Sequence, residues 1–189
     1  MGAIVLNNYA ASSGKACALD AAFTISGALD CRFEQNYTRS QITWLPIVAE
    51  ASRSSQHLPK WGSRFEQRLT RTELVAMMRA RHTMDLDRYT AFAYYSDRFA
   101  SLEDCYAKQS ALGDIPLEAM KLHPRDVPSA KIHNLSIPLC VLHALDDPIS
   151  TWRTNAANQG FMHPGNLVQA GNGNLMLLFT KTGGHVGWP

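Results

Sequence analysis

Ile137-Pro138-Leu139-Cys140-Val141-Leu142-His143-Ala144-Leu145-Asp146-Asp147-Pro148-Ile149 is an apolar run of strand length that stops on two carboxylates and a proline. It is answered by Leu175-Met176-Leu177-Leu178-Phe179-Thr180-Lys181-Thr182-Gly183-Gly184-His185-Val186-Gly187, a second apolar run that ends in a glycine-rich turn carrying a histidine. Acid after one strand and histidine after the next is the order expected when parallel strands deliver a catalytic pair to one sheet edge. In open α/β sheets, ligands sit beyond the carboxyl ends of the strands. The fold class expected is therefore α/β.

The composition sets bounds on this reading. A chain of 189 residues suits one domain with room for an insertion. A hydrophobic content of 46% with 18% charged residues supports a packed core rather than disorder. The net charge of +2, with lysine and arginine scattered, argues against a nucleic-acid partner. Cys17, Cys31, Cys105 and Cys140 show no Cys-x-x-Cys spacing, so neither a zinc site nor a redox motif is expected. Cys140 reads as a small buried apolar residue of a strand. No apolar run approaches the roughly 20 residues that span a bilayer. Met1-Gly2-Ala3-Ile4-Val5-Leu6 lacks the basic start and long apolar stretch of a signal peptide. It enters directly into an amphipathic pattern, as though residues before it had been cut away. The compartment stays unassigned.

Gly2 to Ala11 reads as a helix stopped at Ser12-Ser13-Gly14, with the glycine left-handed. Leu19 to Ser26 reads as a buried strand ended by Gly27. If its neighbour on one side is missing, that strand presents a bare edge, which invites pairing with another chain. From Arg32 to Ala111 apolar and aromatic residues recur at helical intervals among charges, the pattern of a helical cap or lid inserted between strands. One helix there is expected to start at Thr72-Glu73, with Met77, Met78 and the Tyr94-Tyr95 pair packed inside. Thr151 to Asn158 reads as a short helix, Phe161 to Asn174 as a long polar connection, and Leu175 to Thr180 as the last strand.

A Ser-His-Asp relay needs a buried carboxylate to orient an imidazole, an imidazole to take the nucleophile's proton, and backbone N–H groups for the oxyanion. Asp147 is the better acid, because Pro148-Ile149 turns the chain away directly after it. Asp146 is expected to hold the loop through backbone hydrogen bonds. His185 is the general base, and Gly183, Gly184 and Gly187 let its loop bend sharply. A metal site from His143, Asp146, Asp147 and His185 is disfavoured, since His143 should face elsewhere. No metal or cofactor is called for.

No Gly-x-Ser-x-Gly elbow is present. Ser26 follows a strand but lacks the elbow's first glycine and an immediate helix, so it is rejected as nucleophile. Nucleophile, acid, histidine is the chain order of α/β-hydrolases, and the helix due after the nucleophile is the one that begins at Met1-Gly2-Ala3. The serine is therefore expected immediately before Met1.

On these residues the chain resembles the C-terminal half of an α/β-hydrolase of the abhydrolase-domain lipase and esterase group that includes the YheT-like hydrolases. Met1-Gly2-Ala3 and Asn8-Tyr9 fit that group's elbow and following helix. Met84-Asp85-Leu86-Asp87 and Asp104-Cys105-Tyr106 up to Ser110 echo its middle. The Ile-Pro-Leu strand, Asp146-Asp147-Pro148 and Gly183-Gly184-His185-Val186-Gly187 match closely. The resemblance implies a partial α/β-hydrolase fold with a helical lid, and hydrolysis of small-molecule or lipid carboxylic esters by acyl-enzyme chemistry. It implies Asp147 as triad acid, His185 as base and the Met1 N–H as an oxyanion donor. It also implies acyl transfer to alcohols as an alternative with the same residues, and membrane association through an N-terminal segment outside this chain. The missing nucleophile motivates a further alternative, a degenerate fragment that only binds.

Overall fold

The computed structural model describes residues 2–32, 38–93, 95–123, 126–155 and 163–187. Its helices are α1 (Gly2–Ser13), α2 (Thr38–Thr43), α3 (Leu45–Ser52), α4 (Leu58–Arg68), α5 (Arg71–Arg79), α6 (Thr83–Asp87), α7 (Leu102–Gln109) and α8 (Pro164–Ala170). Its strands are β1 (Ala22–Ile25), β2 (Leu139–Ala144) and β3 (Leu175–Thr180). The chain divides into two compact units, Met1–Asn36 with Tyr106–Pro189, and Tyr37–Cys105.

The first unit is mixed α/β. Its three strands form a parallel sheet in the order β1-β2-β3. Ala22 pairs with Leu139, and Leu139 pairs with Leu175, so the three strands start level. Pro138 cannot donate to the ladder, but its carbonyl accepts the N–H of Ala22 at 2.8 Å, which sets the register at the entry. Alternation then sorts the side chains. Leu139, Val141 and Leu175 are buried, with Leu177 packed against them, in a core shared with Ala10, Ala11, Leu167 and Ala170 of the helices. On the opposite face Phe23, Ile25, Met176 and Leu178 remain 42–54% exposed.

Helix α1 runs to Ser13, two residues past the Ala11 expected, and stops at the expected Gly14, whose φ of +50 is a left-handed turn that glycine adopts without a Cβ clash. Asn7, fully buried, ties α1 to the end of β1. Its amide donates to the Gly27 and Ala28 carbonyls at 3.3 Å, and its carbonyl accepts Thr24 Oγ1 at 2.9 Å. Asp30 and Arg32 form a buried ion pair at 2.7 Å, and the same guanidinium donates to the carbonyls of Leu112 and Ile115.

The second unit is helical, around Ala49, Phe65, Leu69, Met77, Ala80 and Leu86. Arg53 is buried there and donates to the carbonyls of Met77 and Ala80 at the end of α5. A cation at a helix C-terminus satisfies carbonyls that have no partner within the helix.

Several boundaries differ from the sequence reading. The first strand is only Ala22–Ile25. Helix α5 starts from Thr70, not Thr72, because Thr70 and Glu73 form a reciprocal capping box. Met77 is buried but Met78 is 48% exposed, because the helix turns it outward. Tyr95 is also exposed, and Tyr94 lies outside the described residues. The expected helix from Thr151 is a single 3-10 turn, Trp152–Thr154, within the described residues. The connection read as polar loop contains α8. Pro164 opens that helix, the His163 ring accepts the Gly165 N–H, and Leu167 and Ala170 face the core. Gly165 and Asn166 hid its period. Cys140 is half-buried on the open face rather than fully enclosed, and burial pushes its thiol pKa up.

Candidate functional site

Three strand ends converge on the His185 loop. Strand β2 ends at Ala144, and the Asp147 N–H returns to the Ala144 carbonyl at 3.2 Å, closing a tight turn. Within that turn Asp147 Oδ1 accepts the N–H groups of Ile149 and Ser150, at 2.9 and 3.0 Å. Pro148, between Asp147 and these two donors, has no N–H to compete. The carboxylate is thereby fixed, with its side chain fully buried. Oδ2 is left facing His185, whose Nδ1 lies 3.0 Å away. The imidazole side chain is 37% exposed.

The backbone around His185 is held separately. Asp146 Oδ1 accepts the Gly184 N–H at 2.9 Å. Ser26 Oγ donates to the His185 carbonyl. Gly183 and Gly184 take positive φ, +145 and +54, so the loop can turn the ring back over Asp147. Ser26 itself sits at φ +51, uncommon for a residue with a Cβ. Serine in that position ends β1 and points its hydroxyl at the loop.

Of the residues picked from sequence, Asp147 and His185 lie within hydrogen-bonding distance. Asp146 binds the histidine loop across the site rather than its own turn. Met1 lies outside the described residues. The expectation that His143 faces away from the acid is wrong. Its ring is fully buried, with Nε2 3.7 Å from Asp147 Oδ2. That is too long for a hydrogen bond, and Nε2 is 2.5 Å from the Ser150 carbonyl instead. Nδ1 lies 2.7 Å from the Asn155 amide. Burial lowers the pKa of His143, outweighing the upward pull of the Ser150 carbonyl and the Asp147 carboxylate. Among the described residues no cluster of three metal-ligating side chains occurs.

Sequence reasoning missed Asn155 altogether and the roles of His143 and Ser26. The signal for His143 was its place four residues before the acid, at a strand end already chosen. Asn155 and Ser26 carry no local signal, because their partners are far along the chain.

Compared with protein-family models, with curated proteins and with solved structures, the chain finds no match. The fold and the site define a mixed α/β protein with a parallel sheet. Its second strand ends in a buried carboxylate, and its third leads into a histidine oriented by that carboxylate.

Proposed function

We propose that this chain carries the acid and the general base of a Ser-His-Asp hydrolase acting on carboxylic esters, on a partial α/β-hydrolase fold whose helical unit serves as lid. The observation that carries the reading is the 3.0 Å approach of His185 Nδ1 to Asp147 Oδ2. A buried carboxylate on Nδ1–H fixes the tautomer and leaves the Nε2 lone pair free to take a proton. The reading calls for a serine nucleophile, which the resemblance puts immediately before the Met1-Gly2-Ala3 segment.

The chemistry then runs through these residues in order. His185 Nε2 takes the serine hydroxyl proton as the oxygen attacks the ester carbonyl. Asp147 stabilises the imidazolium and does not itself become protonated. The imidazolium returns the proton to the departing alkoxide, leaving an acyl-serine. Water, deprotonated by the same nitrogen, releases the acid. The resemblance supplies the substrate class, esters with lipid-like acyl groups.

The test is the in-frame sequence upstream of Met1 and the longer product it encodes. The reading expects a strand pattern ending in Gly-x-Ser, labelling by a fluorophosphonate probe, and loss of ester turnover on His185→Ala. Turnover unchanged in that variant would remove the mechanism.

A further inference from the structure

We infer that His143 and Asn155 are positioning residues for the Asp147–His185 pair, holding the acid turn in place through a one-way chain of hydrogen bonds. The inference rests on the acid–base reading above, because it assigns how that acid is held.

The direction of the chain is fixed at both ends. The Leu29 backbone N–H can only donate, and it meets Asn155 Oδ1 at 2.8 Å. Asn155 must then present its NH2 to His143, whose Nδ1 lies 2.7 Å away. The Ser150 carbonyl can only accept, and it lies 2.5 Å from the other ring nitrogen. His143 is therefore the neutral Nε2–H tautomer, accepting at Nδ1 and donating at Nε2. The N–H of Ser150, the same residue, donates to Asp147 Oδ1 at 3.0 Å. Asp147 Oδ2 in turn faces His185 Nδ1.

Every side chain in this relay before His185 is buried, and Leu29, His143 and Asn155 are fully so. The Ser150 and Thr151 hydroxyls are buried with no hydrogen-bond partner among the described residues. The acid turn is thus gripped through its backbone, and His143 is the group that grips its far end. Removing the His143 donor would leave the Ser150 carbonyl unpaired in a buried setting. The turn repairs that by rotating the Ser150–Thr151 peptide, which is hinged at the Ser150 Cα to the Ile149–Ser150 peptide whose N–H binds Asp147. His143 does not contact substrate in this scheme, and its effect passes through Ser150 to the carboxylate.

The test is spectroscopic and needs no turnover. Nitrogen-15 histidine spectra of the unaltered chain should show His143 as Nε2–H with an unprotonated Nδ1 at neutral pH. An Nδ1–H tautomer, or a mixture averaging between the two, would overturn the proposal. A far-downfield exchangeable proton should mark His185 Nδ1–H on Asp147. His143→Leu should abolish that signal, while His143→Gln, whose amide can still donate to Ser150, should keep it. Retention in His143→Leu, or loss in a folded His143→Gln, would also overturn it, with amide protection of β2 and β3 as the check on folding. If His143→Leu does not fold, the tautomer of the unaltered chain decides. Failure of the underlying reading looks different: the downfield proton would then be absent from the unaltered chain, or would survive Asp147→Asn.

Discussion

Asp146 accepts the backbone N–H of Gly184 at 2.9 Å, one residue ahead of the histidine that its neighbour Asp147 orients. Two consecutive carboxylates therefore divide one loop between them, the first holding main chain and the second holding a ring. Asp146→Ala should leave the folded state nearly unchanged, because the bond is exposed. On the proposed hydrolase reading it should lower kcat about 10-fold by letting the ring wander, a modest case of the loss that misplacement causes. Asp146→Asn keeps an acceptor and should stay close to the parent, so steady-state kinetics of the two variants side by side is the measurement.

Asp147→Asn should be far more severe. The amide can still accept from Ile149 and Ser150, but an NH2 turned toward His185 favours the wrong tautomer. In a serine protease triad the same exchange costs about four orders of magnitude in kcat, and a loss of about 10³–10⁴-fold is expected in the proposed ester turnover. A loss below 10-fold would show that the imidazole is not oriented by this carboxylate.

Stability should depend on pH through His143. Its pKa in the folded chain is depressed from the ordinary 6.5, chiefly by burial. The groups facing it are the Asp147 carboxylate and the Ser150 carbonyl, which favour the cation, and His185, which opposes it. Because the unfolded chain binds a proton that the folded chain refuses, stability rises with pH in this window. The contribution is complete above 6.5 and is lost as pH falls toward the folded value. Its slope cannot exceed about 1.4 kcal/mol per pH unit for one group. Denaturant midpoints should therefore be higher at neutral pH than about two units below, and His143→Gln should flatten this part of the profile.

Asn7 joins α1 to the end of β1 through three buried hydrogen bonds. Asn7→Ala leaves the Gly27 and Ala28 carbonyls and the Thr24 hydroxyl without that partner, at about 1–3 kcal/mol for each buried group left unsatisfied. A total loss of about 2–4 kcal/mol in chemical denaturation is expected, since relaxation recovers part. A change under about 0.5 kcal/mol would mean that α1 is not anchored there.

In the helical unit, Thr70 caps α5, and its bonds with Glu73 lower the carboxyl pKa of that residue. Thr70→Ala should cost about 1 kcal/mol of stability, while Thr70→Ser should cost little. Circular dichroism melts of the two variants check the difference.

The strands β2 and β3 were readable because their side chains make continuous apolar runs with sharp polar ends, and so were the acid and the histidine that follow them. Helix α8 was not readable, since Gly165 and Asn166 break the helical period and only burial of Leu167 and Ala170 completes it. The start of α5 was placed two residues late because Thr70 and Thr72 compete for the same signal, and only geometry decides between them. The role of His143 was misread for a different reason. A strand residue was assigned a side by alternation alone, whereas the turn after Ala144 folds Asp147 back over the strand end. Asn155 and Ser26 act on Leu29 and His185, each more than a hundred positions away. No local pattern encodes such partners.

The open side of the sheet shapes how this protein behaves in a test tube. Phe23, Ile25, Met176 and Leu178 form rows with Cys140 and Leu142 between them, and water meets them directly. At about 25 cal/mol per Å² of apolar surface, any oily boundary offered to that side lowers the free energy. The polypeptide will therefore act as a surfactant, adsorbing to plastic and to air–liquid boundaries. Its recovery will fall on dilution until a mild detergent occupies the rows.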